Sequence, residues 1–271
     1  MHNTLDLPAY LSRIGYRGDI AASLPVLRAI VLQHAQAISF ENLSPFLGLP
    51  VSLELADVER KLVFQGRGGY CFEQNLLLGQ ALRQIGFEVT GLAARVLWMK
   101  PEDAQTARSH MLLAVDLDGV RRVVDVGFGG QTLTGVLELR PDALQATPHG
   151  DFRLLCGAGQ WRMQSRTQGQ WCTLYRYDLS PQYLIDYEVA NYYVSTHPHS
   201  LFTQNLIAAR PVPQGRLALQ NRDYTFYPME GQGEPQRRSL ASGAEILAVL
   251  ADDFGLDVAG LPGLAARLDT L

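Results

Sequence analysis

The residues most able to do chemistry lie in Arg67-Gly68-Gly69-Tyr70-Cys71-Phe72-Glu73-Gln74-Asn75, a glycine pair running into a cysteine. Downstream, Leu77, Leu78, Ala81, Leu82 and Ile85 recur at helical spacing and Gly86 is a stop signal, so Cys71 is expected at or near a helix N-terminus. Free N–H groups and the helix dipole favour an anion there, and the thiolate is the reactive form of cysteine. Gly68 and Gly69 allow close approach by a substrate and offer backbone N–H groups to an oxyanion. A lone cysteine can equally be a buried structural thiol after an ordinary turn. A base within reach is what separates the two.

His110 and Asp125 supply one. Ser109 to Val115 and Arg121 to Val126 read as strands, with Asp118-Gly119 between them as a hairpin turn signal. A two-residue turn sets Leu117 opposite Val120. His110 then faces Gly127, and Asp125 is its diagonal neighbour on the same face, within reach of a His–carboxylate hydrogen bond. A three-residue turn would reverse that parity. In the first register Asp125 orients His110 and His110 serves Cys71 as general base and acid, the logic of thiol acyl transfer. The alternatives are a hydrogen-bonded sheet histidine and an acid beside a turn.

The elements that must position these groups change character along the chain. Asp6 caps a first helix with Leu7, Tyr10, Leu11 and Ile14 on one face, and a second runs from Ser23 to Ala37. Residues 38–50 read as loop, and the third helix is the one that starts at Cys71. After Gly86 the period becomes two: residues 87–98, the hairpin, 152–155, 160–164 and 171–177 read as an antiparallel sheet or small barrel. Pro181 is placed at the start of a helix reaching Tyr193. Leu206 to Ala209, Arg216 to Leu219 and Asp223 to Tyr227 read as short strands, and Ser242-Gly243-Ala244-Glu245 as a capping box for Ile246 to Phe254. This order is α+β and excludes a doubly wound fold.

Composition narrows the class further. With 271 residues, 47% hydrophobic and 18% charged, the chain reads as a soluble globular protein with a substantial core. A net charge of −4 without basic runs argues against nucleic acid and anionic membrane as partners. Met1 to Asp6 lacks a basic, apolar leader, and no apolar run is long enough to span a bilayer. Cys71, Cys156 and Cys172 form no CxxC pair, which argues for a reducing cytoplasm, against structural zinc, and for Cys156 and Cys172 as independent buried thiols. His34, expected at the core edge, and His197 and His199 have no ligand spacing with any cysteine, so no metal is expected.

The sequence closely resembles the arylamine N-acetyltransferases of bacterial type. Arg67 through Asn75 matches the family's Arg-Gly-Gly-x-Cys-[Phe/Trp]-Glu-x-Asn motif, Ser109-His110-Met111 its catalytic histidine, and Val124-Asp125-Val126-Gly127-Phe128-Gly129 its catalytic aspartate. Residues 10–16, 40–43 and 195–202 match as well, so the resemblance covers nearly the whole chain. It implies a helical bundle over 1–86 carrying the cysteine, a central antiparallel β-barrel over 87–195 carrying His and Asp, and a C-terminal α/β lid over 196–271, the architecture of papain-like and transglutaminase-like thiol enzymes. It also implies acetyl-CoA as co-substrate and an arylamine or arylhydrazine acceptor, with transfer through an acetyl-Cys71 thioester and O-acetylation of N-hydroxyarylamines. The protein is expected in the cytoplasm, as a monomer or homodimer. Phe40, Phe128 and Phe202 are the expected walls of the acceptor slot. Thr106, Ala107, Gly129 and Gly130 are the expected backbone contacts to CoA. Glu41 is expected to pair with Arg67 beneath the nucleophile, and Glu73 to act as structural support. The competing reading is a thiol hydrolase or transglutaminase-like enzyme using the same three residues, and a third is a non-catalytic binding protein.

Overall fold

The computed structural model describes residues 4–271, so the first three residues of the stretch read as leaderless lie outside the described residues. The chain opens with α1 (Leu7–Ile14), whose N-cap Asp6 accepts from Ala9 N and whose C-cap Gly15 is left-handed at φ 73°. It continues through α2 (Leu24–Ala37), β1 (Phe40–Glu41), α3 (Leu43–Phe46) and α4 (Leu55–Glu59), which runs on as a π-helical turn over Arg60–Phe64. The helix α5 (Cys71–Ile85) follows and stops at Gly86, left-handed at φ 106°. The expectation of a loop over residues 38–50 is corrected by β1 and α3. The partners of Phe40 and Glu41 are Ala209 and Ala208, far beyond any local periodicity. Likewise α5 is not the third helix, because α3 and α4 precede it.

The middle of the chain folds as β2 (Glu88–Val96), β3 (Arg108–Leu117), β4 (Val120–Val124), β5 (Leu137–Glu138), β6 (Gln145–Thr147), β7 (Gly150–Gly157), β8 (Gln160–Thr167) and β9 (Gln170–Tyr177). These strands form one sheet in the order β5-β4-β3-β2-β9-β8-β7-β6, every neighbour antiparallel. The two edges meet through a side chain. Gln145 Oε1 accepts from Glu138 N at 2.8 Å and its Nε2 donates to Glu138 O at 2.9 Å, so one amide imitates a strand pair and nearly closes the barrel. Leu92, Leu112, Val123, Phe152, Leu154 and Met163 fill the interior.

Then come α6 (Leu184–Thr196), α7 (Leu201–Gln204), β10 (Ile207–Val212), β11 (Gly215–Gln220), β12 (Asp223–Pro228), β13 (Gln236–Ser239), α8 (Gly243–Asp252) and α9 (Leu264–Leu268). Helix α6 starts at Leu184, not at Pro181. Asp178 Oδ1 accepts from Ser180 N, Gln182 N donates to Gly91 O, and Tyr183 N donates to Asp186 Oδ2, so the preceding residues are held extended along β2. A second sheet runs β1-β10-β11-β12-β13, placing β1 beside strands of the last third. Leu43 and Phe46 accordingly share a core with Leu206, Ile246, Leu250 and Phe254. All three cysteines are free, but Cys156 is exposed and Cys172 half-buried, correcting the expectation of two buried thiols.

His34 lies in the core rather than at its edge, with no exposed surface. Gln74 Nε2 donates to Ile38 O and Ser39 O, so its Oε1 must accept from His34 Nε2 at 2.7 Å, and Tyr10 OH donates to His34 Nδ1 at 2.8 Å. Burial outweighs the Gln74 hydrogen bond and pushes His34 down to about 4. The folded protein therefore binds one proton fewer than the unfolded chain between about pH 6.5 and 4. Stability from this residue is full above the unfolded value and is lost as pH falls through that window, by a few kcal/mol in total (order of magnitude). Urea unfolding across this range is expected to show a slope about one proton steeper than in His34→Gln; equal slopes would refute the assignment.

Candidate active site

Cys71 is the first residue of α5, preceded by an extended Tyr70 whose N–H donates to Glu73 Oε2 at 3.1 Å. Glu73 also holds Lys61 Nζ at 2.6 Å and is wholly enclosed. Burial keeps its carboxyl above the usual range, against the opposing Lys61 ammonium. Beneath the nucleophile Arg67 donates to Glu41 Oε1 from Nε at 3.0 Å and Nη2 at 2.6 Å, and Glu41 Oε2 accepts from Leu43 N. That buried pair locks the Arg67–Tyr70 loop to β1.

Gly68 and Gly69 do not face a substrate, which corrects their expected role. A Cβ on Gly68 would lie 2.1 Å from Ser39 O, and Gly69 N donates to Ser39 O while its own carbonyl accepts from Glu41 N. The close approach Gly68 permits is by Ser39 and Glu41 of the β1 segment, and the one Gly69 permits is by the Glu73 side chain. The N–H of Gly69 is spent on the fold and cannot serve an oxyanion.

Barrel strands bring the base. The β3–β4 hairpin turns through Asp118 and Gly119 at φ 53° and 70° and keeps the two-residue register from Leu117–Val120 to Leu113–Val124. Beyond its end, His110 Nε2 meets Asp125 Oδ2 at 2.7 Å. On the other side of β3, Ala94 pairs with His110 and Arg95 with Arg108, leaving Ser109 as an extra residue. This bulge turns His110 to the inner face and sets Ser109 O 3.7 Å from Cys71 Sγ. With Nε2 on Asp125, it is His110 Nδ1 that faces the Cys71 sulfur. Burial disfavours the charged imidazole, but the Asp125 carboxylate, its hydrogen bond and the Cys71 sulfur outweigh it, and His110 is pushed up to about 10. Burial also works against the charge on Asp125; His110 and hydrogen bonds from Gly127 and Asn75 prevail and hold the carboxyl below the usual range. The pair is an imidazolium–carboxylate at neutral pH.

Two supporting residues had no assigned role in the sequence reading. Asn75 Nδ2 donates to Asp125 Oδ1 at 3.0 Å, Met111 O and Cys71 O, and its Oδ1 accepts from Val126 N, bolting the helix to the barrel. Its position one helical turn after Cys71 was a usable signal. Tyr175 OH donates to Asp125 Oδ2 at 2.9 Å. Burial and Asp125 hold that phenol well above its ordinary value, so it remains a donor. Nothing local marks Tyr175, because β9 reaches the site only through barrel closure.

The expected aromatic residues gather here. Phe128 packs edge-on against His110 with centroids 5.1 Å apart, and Phe202 lies 5.9 Å from Phe40 and 5.5 Å from Tyr70. Gly129, left-handed at φ 76°, lies beside the Phe40 ring, and a Cβ on Gly130 would meet open space. Thr106 is half-buried with an unpartnered, buried Oγ1, and Ala107 is exposed on the approach to β3. Gly127 lies directly against the nucleophile: a Cβ there would be 2.6 Å from Cys71 Cα.

A buried thiol opening a helix, joined to a His–Asp pair on an adjoining antiparallel barrel, places this fold among the papain-like thiol enzymes. The chain belongs to the arylamine N-acetyltransferase family of acyltransferases: the N-acetyltransferase family pattern matches residues 23–261. It is 40% identical over 263 residues to an arylamine N-acetyltransferase of Mycolicibacterium smegmatis, covering 96% of this chain and 94% of that one. It is 37% identical to an arylamine N-acetyltransferase / N-hydroxyarylamine O-acetyltransferase of Salmonella typhimurium, covering 93% and 89%. The structure of Mycobacterium marinum arylamine N-acetyltransferase in complex with CoA superposes with a TM-score of 0.93 at 38% identity, covering 98% of this chain and 99% of that one.

Proposed function

We propose that this protein is an acetyl-CoA-dependent arylamine and arylhydrazine N-acetyltransferase that works by a ping-pong mechanism through acetyl-Cys71, and that it also O-acetylates N-hydroxyarylamines. The observation that carries the reading is Cys71 at the first position of α5 beside a His110 that Asp125 holds at 2.7 Å. Cys71 thiolate attacks the acetyl carbonyl; the C–S bond to CoA breaks and the departing thiolate takes the proton from His110. The acceptor amine then attacks acetyl-Cys71, neutral His110 receives the amine proton, and Cys71 leaves as thiolate, restoring the ion pair. Arylamines are weak bases and remain neutral nucleophiles near pH 7. The N–H of Cys71 is assigned to the oxyanion.

Phe40, Phe128 and Phe202 form the acceptor slot in this reading, with Phe128 nearest the proton-transfer group. Thr106, Ala107, Gly129 and Gly130 are assigned to CoA. The unpartnered Thr106 Oγ1 and the open space beside Gly130 suit that role. Functionally we divide the chain into residues 1–86 with the thiol, 87–195 with its base, and 196–271 as a lid. No described helix is long and apolar enough to cross a membrane, and three free thiols suit a reducing cytoplasm, where we place the protein as a monomer or homodimer.

Intact-mass measurement after mixing with acetyl-CoA alone tests the mechanism. The expected result is a gain of one acetyl group, located on the Cys71 peptide and discharged by an aminobenzoate. Rapid CoA release with no stable adduct and no amine product would instead favour a thiol hydrolase.

A further inference from the structure

Helix α6 buries one side and presents a second core-type stripe to solvent. Tyr187, Asn191, Val194 and Ser195 form the buried side. There Asn191 Oδ1 accepts from Tyr70 OH, Asn191 Nδ2 donates to Val51 O at 2.9 Å, and the Tyr187 ring lies 5.9 Å from that of Phe72. The helix is thus pinned to the residues on either side of Cys71. Its opposite side carries Ile185, Val189, Tyr192 and Tyr193, at the i, i+4, i+7, i+8 spacing that ordinarily faces a core. All four are exposed, Val189 to 69% and Tyr192 to 73%. Among the described residues fourteen large apolar side chains are exposed, and seven of them fall between Tyr183 and Leu201.

The size of the stripe points to its occupant. At about 150–250 Å² for an aromatic side chain and less for an aliphatic one, these four residues and Tyr183 expose roughly 600 Å². A monomer rarely leaves a contiguous apolar patch of more than a few hundred Å² in water. A standard interface takes about 800 Å² from each partner, a little over half of it apolar, so the stripe with its polar flanks matches one half of a stable dimer. Helices that lie on anionic lipid carry Lys and Arg beside such a stripe, whereas the only charged residues of α6 are Asp186 and Glu188.

Charge along the helix fits a second copy in one orientation. Both acids lie in the first half of α6, and His197 and His199 stand just past its end. Tyr193 stacks on the His197 ring with centroids 4.4 Å apart, and His197 Nδ1 accepts from His199 N, which leaves His197 Nε2 as a donor. An antiparallel crossing turns the acids of each copy toward the histidines of the other, while a parallel one sets acid against acid. We propose that the outer face of α6 is an isologous dimer interface in which the helices of two copies cross antiparallel near Val189, the middle of the stripe. This selects the homodimer over the monomer and does not depend on the acetyl-transfer reading.

The test is sedimentation velocity over a dilution series from about 100 μM to about 0.1 μM, which brackets the affinity of a modest interface. Wild-type protein is expected to be dimeric at the upper end. Val189→Glu and Tyr192→Glu each set like charges together at the contact and are expected to weaken the dimer on the order of a hundred-fold or more. Val120→Glu, at an exposed apolar position on β4, is expected to leave it unchanged. Unaltered protein locates the interface without a variant. Tyr192 is 73% exposed in one copy and Tyr227 on β12 only 38%, yet at the upper end iodination of Tyr192 is expected to be the slower of the two. A wild type that stays monomeric throughout, a dimer that persists in both α6 variants, or Tyr192 labelling faster than Tyr227 in the dimer would each overturn the interface. Acetyl uptake from acetyl-CoA, measured by mass on the same samples, reports separately on the transferase reading, because Val189 and Tyr192 lie on the side of α6 away from Tyr70 and Phe72.

Discussion

Asp125→Asn is expected to slow acetylation of Cys71 by about 10³–10⁴-fold while leaving the protein folded. The reasoning is one of proton position. The Asn amide can keep the acceptor role toward Gly127 N and Asn75 Nδ2 that Asp125 Oδ1 fills now. Its NH₂ group then faces His110 Nε2 and can only donate. The imidazole must accept there, so its proton moves to Nδ1, the nitrogen needed to hold and release the proton of Cys71. Removal of the carboxylate also leaves burial as the dominant influence on His110, so its pKa falls from about 10 to below the ordinary histidine range. Single-turnover acetylation reads the first effect and NMR titration of the His110 ring reads the second. On the alkaline side the wild-type rate should fall as pH rises through about 10, where the imidazolium is lost. A variant that acetylates at the wild-type rate would remove Asp125 from the mechanism.

Gly127→Ala is the other large effect. The new Cβ would sit 2.6 Å from Cys71 Cα, 2.9 Å from Asn75 Nδ2 and 3.2 Å from Cys71 Cβ. Its main neighbour is backbone of a helix N-terminus, which cannot swing aside as a flexible side chain could. Either α5 or the Asp125–Gly127 segment must move, at about 1–3 kcal/mol and a fall of several degrees in Tm. A shift near 1 Å between sulfur and imidazole costs on the order of 10²-fold in rate. Gly157→Ala, where an added Cβ meets nothing within 4 Å, is the control and should leave both measurements unchanged. Wild-type kinetics in Gly127→Ala would mean that the helix–barrel contact tolerates slack.

Much of the nucleophile's setting was legible because its signals are local. Gly86 ends α5 and Asp118-Gly119 sets the β3–β4 register, and both are short patterns with one conformational solution. From that register the His110–Asp125 contact followed by parity. What escaped depends on distant partners. Phe40 and Glu41 become a strand only because Ala208 and Ala209 arrive, and Tyr175 reaches Asp125 only because the barrel closes. Gly68 and Gly69 show a subtler failure: the need for small residues was visible, but the occupants of the space were the chain's own Ser39 and Glu73. The start of α6 was misplaced because Pro181 is permissive at a helix start, while the Gln182–Gly91 hydrogen bond decides the matter from another element.

The two-residue strand β1 has a temporal consequence. Phe40 pairs with Ala209 on one side and bridges Gly69 on the other, and Ser39 Oγ donates to Phe254 O across 215 positions of sequence. The loop that aims Cys71 is thus gripped by a segment that waits for nearly the last residues to leave the ribosome. A nascent chain cut between residues 126 and 207 lacks the strand that completes this clamp, even though every triad residue has been made. The thiol therefore gains its reactive setting late, as a product of whole-chain assembly, and contacts of such long sequence separation make that step the slow one in folding.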